Sequence, residues 1–226
     1  MRAHILHHVP FETAGSIADW LDARHATVSE TRWYESANVP DPAELDLVVV
    51  MGGTMSVNDE AQRPWLVTEK AFLRQAIARG TPTLGICLGS QMIASALGAR
   101  VTRNPFIEHG WFPVEGIPVP GAFRFPDRFT TFHSHGETFE IPPGAVRIAS
   151  SAGCENQAYQ IGRHVIGLQF HLESNPESEG AIVEECATEF DAGPYVQSTD
   201  ELRRTVPEAY RESARLMGDV LSYLTR

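Results

Sequence analysis

The chain is poor in cysteine, almost without lysine, and has no long apolar run. Three cysteines, Cys87, Cys154 and Cys186, are spread over 226 residues. An odd, sparse set is no disulfide framework, and no Cys-x-x-Cys pair offers zinc a site. At least one thiol is therefore free, which fits a cytoplasmic setting and leaves a sulfur for chemistry. No stretch of about 18 apolar residues occurs, so no transmembrane helix is expected. The opening MRAHILHHVPFETAGS lacks an apolar run before a small-residue cleavage site, so no secretory signal is expected. Blocks of positive charge are missing too: the formal net charge is −11 and Lys70 is the only lysine. Without a basic stripe to follow phosphates, nucleic-acid binding is not expected.

What remains is an ordinary globular composition, 42% hydrophobic and 21% charged, long enough for one full α/β core. No repeat, low-complexity tract or shift of composition marks a boundary. Residues 1–226 are therefore read as one domain, with 191–226 as a loop and a helix packing on the core.

Apolar patterning gives the coarse order. His4–His8 is a short β-like run, and Ser16–Ala23 has helical spacing with Ile17, Trp20 and Leu21 on one face. Leu45–Met51 (LDLVVVM) is a β-branched run ending at Gly52-Gly53, as a buried parallel strand ends in a tight loop. Trp65–Ala78 reads as a helix, Pro82–Ile86 as a strand and Leu88–Leu97 as a helix. This order argues for a parallel sheet covered by helices on both faces. From Trp111 to Pro143 short apolar runs among prolines and glycines (Phe112–Val114, Ile117–Val119, Phe129–Phe132) predict antiparallel strands. His164–His171 is a further buried strand. Ala181–Phe190 and Glu208–Leu224 read as helices, the second with Ala214, Met217, Leu221 and Leu224 on one face, and Asp191–Asp200 as a loop.

The chemistry concentrates at LGICLGSQ, residues 84–91. A buried strand runs into a helix with Cys87 at the junction and Gly85 and Gly89 at minus and plus two. This is the nucleophile-elbow pattern with Cys in place of Ser. A side chain lifted above a sheet edge on so sharp a turn leaves no room for a Cβ two residues away. The following helix aims its N-terminus at the sulfur, which favours thiolate, and N–H groups there can hold an oxyanion. A buried structural cysteine between two turn glycines is the bland alternative.

A thiol nucleophile needs a base. His171 ends HVIGLQFH, and Glu173 lies two residues on, on the same side of an extended chain. Glu173 can thus orient the imidazole and stabilise its charged form, as the third member of a triad does. Gly52 and Gly53 present backbone N–H groups and let a substrate come close. All three segments fall at the carboxyl ends of strands, where open α/β sheets bind ligands.

Together these segments resemble the class I (triad) glutamine amidotransferases. MGGTMSVNDE resembles their glycine-rich oxyanion strand, GICLGSQMIASALGA their nucleophile elbow, HSHGETF their glutamine-pocket segment and GLQFHLES their base–acid strand. The resemblance spans roughly residues 3 to 190. It looks closest to stand-alone relatives of the GMP synthetase glutaminase domain, through NPFIEHGWFPV and ASSAGCENQAYQIG. It implies a flavodoxin-like fold: a mostly parallel central sheet, helices on both faces and a small antiparallel sheet. It further implies Cys87 as nucleophile, His171 as base, Glu173 as its partner, and Gly53 and Leu88 N–H groups as the oxyanion hole. Gln91 would contact the substrate glutamine, and Ser134, His135, Gly136 and Glu137 would line its pocket. Thr54 and Leu172 stand where prolines are common, and Glu137 where Asp is more frequent. No metal or organic cofactor is implied.

The implied reaction is hydrolysis of the γ-amide of glutamine. The chain carries no phosphate loop or pyrophosphatase loop of a synthetase domain. It would serve a separate ammonia-accepting synthetase, or act alone as a γ-glutamyl peptidase. A non-catalytic regulatory member of the fold is the third reading, against which the complete Cys–His–Glu set argues. An active site complete without a partner is expected, with Glu108–Trp111 and His135 lining a closed pocket.

Overall fold

The structure is a computed structural model that describes residues 1–185 and 190–226. Nine strands among these residues form one sheet: β1 (Arg2–His7), β2 (Thr27–Arg32), β3 (Leu47–Val50), β4 (Thr83–Ile86), β5 (Val101–Gly116), β6 (Arg128–Phe139), β7 (Ala145–Ser151), β8 (Ala158–Ile161) and β9 (Val165–Leu168). Their order is β2-β1-β3-β4-β9-β8-β7-β5-β6. The first five in this order are mutually parallel, and the remaining pairings are antiparallel. The fold class follows the expectation, with the antiparallel strands extending the same sheet through the β8–β9 pairing. The helices are α1 (Ser16–Asp22), α2 (Trp65–Ala78), α3 (Leu88–Ala96), α4 (Pro176–Glu185), α5 (Thr199–Leu202) and α6 (Pro207–Leu224).

The two-residue period of β3 explains why helices cover both faces. Leu47 and Val49 join one apolar core with Ile17 and Leu21 of α1 and Met217, Val220 and Leu221 of α6. Val48 and Val50 join the other with Leu66, Phe72 and Leu73 of α2 and Met92 and Ile93 of α3. A strand buried on both sides must be apolar throughout, as LVVV is. In α6, Met217, Leu221 and Leu224 are buried as expected, together with Ser213, Leu216 and Val220, whereas Ala214 is only half-buried. The helix lies against α1.

Several strands depart from what patterning predicts. β2 (TVSETR) is an edge strand with one buried residue, so it shows no apolar alternation. β7 and β8 were also unrecognised. Ile117–Val119 forms no strand: Ile117 donates one bond to the Ile148 carbonyl, and Pro118 and Pro120 have no N–H to continue a ladder. The expected helix Ala181–Phe190 begins earlier, at Pro176, and its end falls partly outside the described residues, as does Cys186.

The antiparallel half curls back over the parallel half. Beyond β9, His171 bridges Phe132 of β6, its N–H donating to the Phe132 carbonyl at 2.8 Å. The segment of β6 that follows, Ser134–Glu137, is thereby brought over the end of β4.

Candidate active site

Cys87 caps the N-terminus of α3 with φ 48° and ψ −110°. Such a conformation costs a non-glycine residue about 1–3 kcal/mol and persists only where its surroundings enforce it. Its N–H is tied to the Leu168 carbonyl at 2.7 Å. The flanking glycines are steric necessities: a Cβ on Gly85 would lie 2.6 Å from the Gly89 carbonyl oxygen, and one on Gly89 2.0 Å from that of Val50. The sulfur is buried, 6% of the residue being exposed. It lies 3.6 Å from the Ser134 carbonyl and 3.7 Å from Gln169 Nε2.

His171 Nδ1 is 2.7 Å from Glu173 Oε1. Its Nε2 is buried with no hydrogen-bond partner among the described residues, and the ring interacts with the Cys87 thiol. Burial opposes charge on the imidazole, but Glu173 and the Cys87 sulfur outweigh it and hold the ring well above its ordinary range. Burial pushes the Cys87 thiol up, while His171 and the Leu88 N–H pull it back. Thiolate is thus favoured only where the imidazolium pairs with it. Leu172, standing in place of a proline, is fully buried in the core. Thr131 Oγ1 donates to the His171 carbonyl at 2.9 Å. On the far side, Ser16 N–H donates to the Glu173 carbonyl at 2.9 Å. Packing and these bonds fix a segment that proline would have stiffened.

The residues predicted for the pocket converge on Cys87. A cavity of about 100 Å³ is lined by Gly53, Thr54, Cys87, Gln91, Ser134, His135, Gly136 and Glu137, joined by Glu12, Met55 and Phe190. Gly52 lies just outside this lining, backing it. Gln91 Nε2 reaches the Glu137 carbonyl at 3.3 Å and Gln169 Oε1 at 3.1 Å, so it braces the pocket strand as well as lining it. Ser134 Oγ pairs with His109 Nδ1 at 3.1 Å, and Ser56 Oγ donates to Glu137 Oε1 at 3.2 Å.

The expected lining by Glu108–Trp111 is corrected. Glu108 is fully buried and accepts from His135 Nε2 at 2.9 Å, Ser151 Oγ at 2.7 Å and Gln157 Nε2 at 2.6 Å. Trp111 turns toward α4, where its Nε1 donates to Glu179 Oε2 at 2.8 Å. Burial alone would raise the Glu108 carboxyl, but His135 and its other donors hold it down to about 2. Glu108, His133 and His135 place ligating atoms within 4.8 Å of one another, the one such group of three among the described residues. Donors from Gln157 and Ser151 already occupy the carboxylate, so the cluster fits a brace between β5, β6 and β7 better than a metal centre.

Two acidic residues escaped the sequence reading. Glu12 lies on the β1–α1 loop with its carboxyl against Gly52, where a Cβ would stand 1.8 Å from Glu12 Oε2. That oxygen is buried without a partner among the described residues, and burial pushes the carboxyl up to about 7. Glu69 of α2 is fully buried against His8. Neither sits in a motif; PFETAG and VTEK look like loop and solvent-face helix.

Comparison with known proteins points to one family. The family model for class-I glutamine amidotransferases matches residues 13–189. The glutamine amidotransferase-like protein YfeJ of Salmonella typhimurium is 32% identical over 214 residues, 90% of each chain. One of the subunits of the glutamine-hydrolyzing GMP synthase of Picrophilus torridus is 28% identical, over 73% of this chain and 87% of its own. The crystal structure of a glutamine amidotransferase from Thermotoga maritima superposes with a TM-score of 0.89 at 30% identity, covering 100% of this chain and 98% of that one. With a family match over most of its length and that fold, the chain belongs to the class-I glutamine amidotransferases.

Proposed function

We propose that this protein hydrolyses the γ-amide of glutamine through a Cys87–His171–Glu173 triad and a γ-glutamyl thioester. The observation that carries the reading is His171: one ring nitrogen sits 2.7 Å from Glu173, and the other is buried with no hydrogen-bond partner among the described residues, on a ring that interacts with the Cys87 thiol. Glu173 fixes the tautomer and stabilises the imidazolium, and His171 draws the thiol toward thiolate. The thiolate attacks the γ-carbonyl carbon, forming a C–S bond and moving the carbonyl electron pair onto oxygen. Gly53 and Leu88 N–H groups take that oxyanion. Collapse breaks the C–N bond as His171 Nε2 protonates the leaving nitrogen, and ammonia departs. Neutral His171 then takes a proton from water, whose oxygen attacks the thioester. The C–S bond breaks, returning thiolate and releasing glutamate.

The cavity, about 100 Å³, is far below the roughly 300–1,000 Å³ of pockets for larger ligands, which suits an acyl group the size of glutamine's. The GMP synthase relative motivates an ammonia-accepting synthetase as partner. The test is the purified chain assayed against glutamine and a panel of γ-glutamyl peptides, with Cys87→Ala beside it. Turnover abolished in Cys87→Ala and a glutamine-like chloroketone bound to Cys87 alone support the reading. Label spread evenly over Cys87, Cys154 and Cys186 refutes the nucleophile. Cys154 should be inert, since burial pushes its thiol up to about 11. Turnover confined to γ-glutamyl peptides would select the peptidase instead.

A further inference from the structure

His8 and Glu69 form a second buried histidine–carboxylate pair, outside the triad. His8 Nε2 is 3.0 Å from both Glu69 oxygens, and both side chains are fully buried. His8 Nδ1 is 2.9 Å from the Gly52 carbonyl oxygen. Both ring nitrogens therefore face acceptors, so the ring is a donor at each. Its plane is held by stacking on Trp65 at 5.6 Å, which in turn stacks on Trp33 at 5.4 Å.

A planar trans peptide points its C=O and its N–H in opposite directions. With the Gly52 carbonyl drawn toward His8 and α2, the Gly53 N–H must point away from them. Gly53 is wedged between His8 and Leu88: a Cβ there would lie 2.9 Å from His8 Cβ and 2.9 Å from Leu88 Cδ2. Among the described residues, neither the Gly53 nor the Leu88 N–H finds an oxygen acceptor. A Gly-Gly peptide flips cheaply unless something outside it holds the carbonyl.

We infer that the His8–Glu69 pair locks the Gly52–Gly53 peptide with the Gly53 N–H aimed at the developing oxyanion, so that the site stands assembled without a partner protein. This rests on the thioester reading above. His8 and Glu69 are positioning residues: they act through the Gly52 carbonyl and touch no substrate. Glu69 matters because it keeps the Nδ1 proton on a buried ring by accepting the other one.

The test compares the wild-type chain with the double variant His8→Phe/Glu69→Leu, which removes the donor without stranding a buried charge. Three readouts separate positioning from simple structural damage. Glutamate γ-semialdehyde forms a hemithioacetal whose oxyanion needs the hole. Iodoacetamide alkylation of Cys87 needs only the thiolate. Steady-state kinetics with glutamine separates kcat from KM. In the double variant, kcat and semialdehyde affinity should fall together by about a hundredfold to a thousandfold, the range for loss of one oxyanion donor, with KM and alkylation rate changing far less. Glu69→Gln, whose amide can donate to Nε2 and leave the Nδ1 proton in place, should fall between the two. A folded double variant that follows wild type within about threefold in kcat and semialdehyde affinity overturns the inference alone. So do wild-type crystal structures with and without semialdehyde in which the Gly52–Gly53 peptide flips, a measurement that needs no variant. A wild-type chain in which iodoacetamide alkylates Cys87, but which neither binds the aldehyde nor turns over any γ-glutamyl substrate, also overturns it while the nucleophile stands. A wild-type chain that turns over nothing and whose Cys87 is not alkylated in preference to its other cysteines refutes the thioester reading, and this inference with it.

Discussion

The end of β9 and the top of α2 each bury a histidine against a glutamate, at nearly the same distance, to different ends. His171 meets Glu173 at 2.7 Å and His8 meets Glu69 at 3.0 Å. In both, the carboxylate favours the charged ring against burial. The difference lies at the second nitrogen. That of His8 is spent on the Gly52 carbonyl, whereas that of His171 has no hydrogen-bond partner among the described residues, on a ring that interacts with the Cys87 thiol. A buried imidazole with both nitrogens satisfied can only brace its neighbours, whereas one with a nitrogen left over beside a thiol can move a proton, as the proposed reaction requires. The pairing with glutamate does not distinguish them.

Removing each ring in turn puts that distinction under the greatest stress. His171→Phe should reduce glutamine turnover by about 10⁴-fold or more, since triad members act as a unit. Loss at His8 should stay within the range for one oxyanion donor. Initial rates with glutamine and an ammonia-coupled readout check this; equal losses at both positions would erase the distinction.

A third pair tests whether bracing alone has a cost in stability. Glu108→Ala strands His135 beside unsatisfied Gln157 and Ser151 donors. It should lower unfolding stability by about 3–5 kcal/mol, the usual penalty for breaking a buried pair, as read by denaturant titration. The Glu108 carboxyl is held near 2, below its unfolded value. Its contribution is therefore complete above about pH 4.5 and lost as pH falls through about 2. The wild type minus Glu108→Ala difference should shrink on acidification over that window.

Glu12 gives the smallest effect. Its carboxyl is raised to about 7 by burial, so its stabilising contribution as a neutral group is present below pH 4.5 and lost as pH rises through about 7. Glu12→Gln should therefore gain stability relative to wild type at pH 8 and not at pH 4. Ionised Glu12 also pushes the Cys87 thiol up. Alkylation of Cys87 by iodoacetamide, followed against pH, should shift to lower pH in the variant. An unshifted profile would remove Glu12 from the electrostatics of the nucleophile.

Much of the parallel half was legible because local pattern and burial agree there. Trp65–Ala78 was read with its observed bounds, and LVVV, LGI and the elbow announced themselves by apolar runs meeting glycine. Cys87, His171 and Glu173 were legible because an elbow and an i, i+2 pair are short-range signals. β2 was not, because an exposed edge strand has no reason to alternate. His8 and Glu69 were not, because they are 61 residues apart and nothing local requires either to be buried.

Local signals in the chain were thus enough for the strand–turn–helix at Cys87, the twin glycines its strain demands, and the order of apolar segments that makes a doubly covered sheet. The assembled fold decided the rest: what each histidine's second nitrogen meets, the placement of Ser134–Glu137 over the sulfur, and the charge environment of Glu12. The two differ in range. Backbone strain and apolar periodicity act over a few residues along the chain. A buried ionisable group takes its role from whatever the curl of the sheet sets against its free atom.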